Sequence, residues 1–177
     1  MQPICFVSGM LILVVLFQSF MFLAFFVFGD SGITSEAKAV VSENERLTGI
    51  YTTEDNAKEI GELTVFFKES YLEDKECIVW SHSPIIYYAL DLVCAIGHTW
   101  PMLDSYAYDE FIQDMEELQE YPIVIYEAQY YPDLLSDVEN LDSKTLVIKE
   151  LLDEGRYREV FRNQYYVVCV PQENNIL

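Results

Sequence analysis

Cys77-Ile78-Val79-Trp80-Ser81-His82-Ser83-Pro84-Ile85-Ile86-Tyr87-Tyr88-Ala89-Leu90 decides the fold. The first four residues form a continuous apolar run behind the charged turn Glu73-Asp74-Lys75-Glu76, the mark of a strand covered on both faces. Ser81-His82-Ser83 ends the strand. Pro84 suits the first turn of a helix because its φ is already fixed there, and Ser83 stands where a cap belongs. That helix is predicted to run from Ile85 to about Val93.

Working upstream, Thr52 and Asp55 resemble a capping box, and Glu54 and Asp55 suit the positive end of a helix. Ala57, Ile60, Leu63, Phe67 and Tyr71 then recur at three- and four-residue steps, an amphipathic stripe. Gly61 weakens this helix by roughly 1 kcal/mol against Ala. Downstream, Ile96 to Tyr106 reads as a loop, and Tyr108 to Glu120 as a helix with Phe111, Met115 and Leu118 inward. Ile123-Val124-Ile125-Tyr126 is a second buried strand. Tyr130 to Leu141 reads as a loop or short helix started by Pro132. Ser143 caps a further helix that Gly155 ends. Tyr165 to Val170 is the last strand, closed by Pro171. This alternation predicts an α/β fold, a small Rossmann-like, mostly parallel three-layer domain with right-handed crossovers.

The N-terminus has another character. Ile4 to Phe28 carries no Asp, Glu, Lys, Arg or His, and as a helix it would extend roughly 37 Å. A cleaved signal peptide fits poorly, since Met1-Gln2-Pro3 has no basic side chain and the apolar run is long and bulky at its end. The expectation is an N-terminal transmembrane helix over residues 1–29, with the lipid bilayer as partner. A linker over 30–46, an α/β domain over 47–171 and a tail over 172–177 follow. Lys38 and Arg46, just after the apolar run, weakly favour an inside domain.

Among 177 residues, 30 are acidic and 10 basic, a net charge of −20 that repels nucleic acid phosphates. Nucleic acid is therefore excluded as a partner. Such charge is ordinarily a solvated face; weak binding of hard cations is the sharper alternative. The four cysteines, Cys5, Cys77, Cys94 and Cys169, include no CxxC and read as small buried hydrophobes. Pairing among the last three stays open, because sequence gives no distances. The 13 tyrosines, with doublets at Tyr87-Tyr88, Tyr130-Tyr131 and Tyr165-Tyr166, fit core packing or stacking on sugar faces.

Ligands of open α/β sheets sit beyond the carboxyl ends of the strands, here Ser81-His82-Ser83, Glu127 to Gln129 and Pro171, the first being the most suggestive. The ligand-facing loop expected there is Ser81, His82 and Ser83, which could offer backbone N–H groups to an anion; as a plain alternative the loop only caps its helix. It matches neither a dinucleotide fingerprint nor a phosphate loop nor a nucleophile elbow. His82 lacks an assignable orienting carboxylate, His98 stands alone in Gly97-His98-Thr99-Trp100-Pro101, and Asp91, Asp104, Asp109 and Asp114 are candidates for a carboxylate pair. No catalytic residue, metal or cofactor is assigned. Arg156, Arg158 and Arg162 read as the outer face of a helix end.

Several segments together carry a resemblance: Leu47-Thr48-Gly49-Ile50-Tyr51-Thr52-Thr53 leading into a helix, Ile78-Val79-Trp80, Ser83 through Asp91, Trp100-Pro101 through Tyr106, and Tyr165-Tyr166-Val167-Val168 with Pro171 behind. They resemble the C-terminal soluble domain, with the last membrane span, of bacterial GT-C-type, protein-mannosyltransferase-like membrane glycosyltransferases. The resemblance covers most of residues 47–171. It implies a domain on the extracytoplasmic side of the cell membrane, behind a single span. That family's catalytic acid lies in an early loop that no residue here matches, so no catalytic role is carried over. The resemblance implies a non-catalytic accessory part or fragment of a polyprenyl-phosphate-sugar-dependent enzyme, partnered by a multi-pass membrane glycosyltransferase subunit. The alternatives are a free-standing anchored binding module for sugars or envelope proteins, and a small hydrolase using carboxylates or His82.

Overall fold

The computed structural model describes residues 3–25, 39–41, 43–128, 131, 134, 141–153 and 155–172. In chain order the elements are α1 (Pro3–Phe25), β1 (Ala39–Val40), a 3-10 helix (Glu45–Leu47), β2 (Tyr51–Thr52), α2 (Glu54–Ser70), β3 (Glu76–Trp80), α3 (Ile85–Leu90) and β4 (Val93–Cys94). Then come α4 (Tyr108–Glu116), β5 (Ile123–Glu127), α5 (Ser143–Asp153), β6 (Tyr157–Arg162) and β7 (Tyr166–Pro171). The expected loop or short helix over Tyr130 to Leu141 falls largely outside the described residues.

Local chemistry sets the helix ends. Thr53, one residue later than expected, caps α2 by accepting from the Asn56 N–H at 3.2 Å, while Thr52 lies in β2. Tyr71 closes α2 in the left-handed region at φ 54°. The helix after Pro84 stops at Leu90 rather than Val93, because Asp91 turns left-handed and the Leu92 N–H bonds back to Tyr87 O at 2.9 Å. Val93 and Cys94 are thereby released to pair with β3. The cap of α5 is the Asp142 carboxylate, which accepts from the Lys144 and Thr145 N–H groups at 3.0 Å each, and not Ser143.

The main sheet has five strands in the order β4-β3-β5-β7-β6. β4, β3 and β5 are parallel; β7 is antiparallel to β5, and β6 to β7. The sheet is thus mixed, which corrects the expectation of a Rossmann-like, mostly parallel domain. The physical reason is the β6–β7 hairpin. Asn163 Oδ1 accepts from the N–H groups of Tyr165 at 3.1 Å and Tyr166 at 2.8 Å, so the chain reverses in a tight turn and needs no crossover helix. Arg158 and Arg162, expected on a helix, lie in β6, the edge strand of this hairpin.

Alternate side chains of the strands fill two cores. Ile78 and Trp80 of β3 pack with Phe111, Tyr126 and Ile148 beneath α4 and α5. Cys77 and Val79 pack with Leu63, Phe67, Ile86 and Tyr87 beneath α2 and α3. Trp80, Phe67 and Phe111 are fully buried, each contributing roughly 1.5–3 kcal/mol by leaving water. A smaller cluster of Val41, Leu47, Ala57 and Ala89 fastens the segment before α2 to the helical layer.

α1 is apolar on every described face, with Met10, Leu13, Phe17 and Phe20 all more than half exposed. Among the described residues, no helix is long and apolar enough to cross a membrane. The expected N-terminal transmembrane helix, and with it the single-pass cell-membrane location, is corrected on this finding.

Candidate functional site

The connection from β3 through α3 leads to β4 on one side of β3, and the next connection through α4 leads to β5 on the other. α3 packs on one face of the sheet and α4 on the opposite face. The carboxyl ends of β3 and β5 therefore flank a topological switch point, where a crevice for ligands opens in sheets of this kind. β3 delivers Ser81, His82 and Ser83 there; β5 delivers Glu127, and β7 enters alongside with Tyr166, which is the register partner of Glu127.

Glu127 organises the cluster. Its side chain is only 9% exposed. Ser81 Oγ, itself buried, donates to Glu127 Oε1 at 2.7 Å and accepts from the Ser83 N–H at 2.8 Å. The loop is thus tied to the carboxylate at one atom. Oε2 is buried and, among the described residues, receives no hydrogen bond. His82 Nδ1 lies 3.4 Å from it, an ion pair when the imidazole is protonated, while half of the His82 side chain faces solvent. Burial pushes the Tyr166 hydroxyl up, the Glu127 carboxylate adds to that rise, and a bond with Ser83 opposes it. The Tyr131 hydroxyl is also raised, first by burial.

This arrangement decides what the loop can offer. The Ser83 N–H is already held by Ser81, and a carboxylate stands in front of it, so an anion is disfavoured. A ligand that donates hydrogen bonds is favoured, because among the described residues Oε2 receives no hydrogen bond. Among the described residues, no group of three or more His, Cys, Asp or Glu side chains is placed to hold a metal ion.

The other sequence candidates are scattered. Asp91 pairs with Arg46. Asp114 accepts from the Gly97 N–H at 2.8 Å and from the Tyr106 hydroxyl. Asp104 and Asp109 are exposed, and these four acids form no pair. His98 stacks on Tyr106 at 5.2 Å and accepts from the Trp100 N–H at 3.2 Å, a structural role. A cleft of about 1100 Å³ opens at the opposite, amino ends of β3 and β5, between Glu76, Glu120, Tyr121 and Arg158.

The sequence places Glu127 at a strand's carboxyl end but assigns it no role, and it assigns none to Glu59. Glu127 closes the apolar strand β5 at its carboxyl end, where ligands of such sheets sit. Glu59 precedes Leu63 by four residues, so it belongs to the inner stripe of α2. It is buried, and its Oε2 accepts from the Gln164 N–H at 2.8 Å, fixing the β6–β7 turn beside Tyr166.

No protein-family model, curated protein or solved structure matches this chain.

Proposed function

We propose that this chain is a non-catalytic accessory domain that binds the sugar of a polyprenyl-phosphate-sugar-dependent glycosyltransferase. The observation that carries the reading is the Glu127 carboxylate: buried, held through Oε1 by Ser81, and keeping Oε2 as an acceptor at the sheet's switch point. A sugar meets such a group with hydroxyl donors once the half-exposed His82 beside it moves aside, because Oε2 is covered from solvent. Because Ser81 fixes the carboxylate beforehand, little freedom is lost on binding. Half-exposed His82 and partly buried Tyr131 stand near it with a ring and a polar tip each, the mixture that suits the apolar faces and hydroxyl edges of a sugar.

A role without catalysis follows from charge. Transfer from a phosphate-linked donor develops negative charge on the leaving group and calls for cations aimed at it. Arg158 lines the cleft at the opposite ends of the strands, Arg162 pairs with Glu159, and the Lys144 ammonium is held by the carbonyls of Pro101, Leu103 and Tyr106. The exposed apolar faces of α1 favour a part that assembles with a larger partner over a free-standing sugar-binding module.

Calorimetric titration of the full chain with neutral monosaccharides and disaccharides, and with short-chain polyprenyl-phosphate sugars, tests the reading. Weak, saturable binding is expected, reduced roughly tenfold by Glu127→Gln, the equivalent of one charge-assisted hydrogen bond. Absence of binding to every sugar, or equal binding by Glu127→Gln, overturns it.

A further inference from the structure

Cys77 and Cys94 are register partners in the neighbouring parallel strands β3 and β4. Adjacent strands lie about 4.7–4.9 Å apart, inside the 4.4–6.8 Å window of Cα separations that a disulfide bridges. Cys77 belongs to the core beneath α2 and α3, and Cys94 packs against that same cluster beside Tyr87 of α3. The Tyr87 hydroxyl accepts from the Val79 N–H at 2.9 Å and donates to Cys77 O at 3.3 Å. Cys169 belongs to the core on the other face of the sheet, so it does not compete for Cys77.

We propose that Cys77 and Cys94 form a reversible disulfide that staples edge strand β4 to β3 and closes a covalent loop around Ser81, His82 and Ser83. Both thiols are free in this structure. Side chains of parallel register partners run alongside each other, which leaves their Cβ atoms wider apart than the ~3.8 Å a relaxed disulfide has. β4 must therefore move inward. It is two residues long and paired on one side only, so a small shift disturbs little. The remaining strain makes the bond easy to reduce, as a switch requires.

The two thiols differ in access, which orders the steps. Cys94 is partly exposed, with Sγ 3.1 Å from Ile96 O, whereas Cys77 is fully buried. The Cys94 thiolate attacks one sulfur of a small disulfide such as oxidised glutathione, forming a mixed disulfide and releasing one glutathione thiol. Burial, and secondarily the Cys94 sulfur, holds the Cys77 thiol well above its ordinary range. Capping Cys94 removes that second influence. Cys77 then gives up its proton and attacks the Cys94 sulfur, expelling the second glutathione. The protein loses two electrons and two protons; one oxidised glutathione becomes two thiols.

The full chain is equilibrated with oxidised and reduced glutathione, quenched in acid, alkylated under denaturing conditions and mapped by mass spectrometry of chymotryptic peptides. The expected product links the Cys77 and Cys94 peptides, reverts with dithiothreitol, and raises the melting temperature by on the order of 5 °C. Cys77→Ala is expected to stop at the Cys94–glutathione adduct. Wild-type protein that accumulates only this adduct, keeps both thiols free, or links them only after urea unfolding contradicts the proposal, whether or not the variant folds.

Discussion

Replacing Ser81 with alanine removes one hydroxyl that satisfies two partners at once. The lost bond to Glu127 is charge-assisted, short at 2.7 Å and buried, and such bonds contribute about 1.5–3 kcal/mol. The Ser83 N–H loses its acceptor at 2.8 Å, adding about 0.5–1.5 kcal/mol. Ser81→Ala is therefore expected to destabilise by about 3 kcal/mol, a fall in melting temperature of roughly 10 °C for a domain of this size. Glu127→Gln keeps a carbonyl that accepts from Ser81 and is expected to cost only about 1 kcal/mol. The assay is urea unfolding of the full chain, followed by tryptophan fluorescence, with slope and midpoint fitted separately. In a cycle with Glu127→Leu, the two positions should couple by about 1.5 kcal/mol. A Ser81→Ala change below about 0.5 kcal/mol at unchanged slope, within the ordinary range for surface substitutions, refutes the buried Ser81–Glu127 link.

Lys144→Met removes the ammonium that donates to Pro101 O at 2.8 Å, Leu103 O at 3.0 Å and Tyr106 O at 2.8 Å, and is expected to cost about 2 kcal/mol by urea unfolding. An unchanged midpoint contradicts this. Alkali should unfold the domain. Burial pushes both the Tyr126 hydroxyl and the Cys169 thiol up to about 12, so each favours the folded state fully below its unfolded pKa of about 10 or 9. That stability is lost as pH rises toward about 12, and the Tyr126 contribution to tyrosinate absorbance, read as the difference from Tyr126→Phe, should appear together with loss of circular dichroism; ionisation of Tyr126 in a still-folded chain near pH 10 contradicts it. The chain alone should transfer no sugar from polyprenyl-phosphate donors in liposomes above a no-protein control. Reproducible turnover abolished by Glu127→Gln would make it an enzyme in its own right.

Three strands are visible in the sequence because each is an apolar run: Ile78 to Trp80, Ile123 to Tyr126 and Tyr165 to Val170 appear within β3, β5 and the turn into β7. The other two strands of the main sheet are hidden for separate reasons. β4 has only Val93 and Cys94, and β6 carries Arg158, Glu159 and Arg162, charges that guard an edge but erase the alternation that marks a strand. Without β6 there is no hairpin, and without the hairpin the sheet reads as parallel. The loop Ser81-His82-Ser83 stands out because it separates an apolar strand from a proline-started helix. Glu127 is visible as a strand end, but its bond to Ser81 is not, because its partners depend on the register of β3, β5 and β7, and register is a long-range property. The same distance dependence hides the Cys77–Cys94 pairing.

The central claim is that the crevice around Glu127 receives a sugar, and amide chemical-shift mapping of the isotopically labelled full chain during sugar titration tests it most directly. Saturable shifts centred on Ser81, His82, Ser83, Glu127 and Tyr166, and absent from the cleft at Glu76 and Arg158, are the predicted result. Shifts confined to that opposite cleft, or no saturable shift with any sugar, would contradict it.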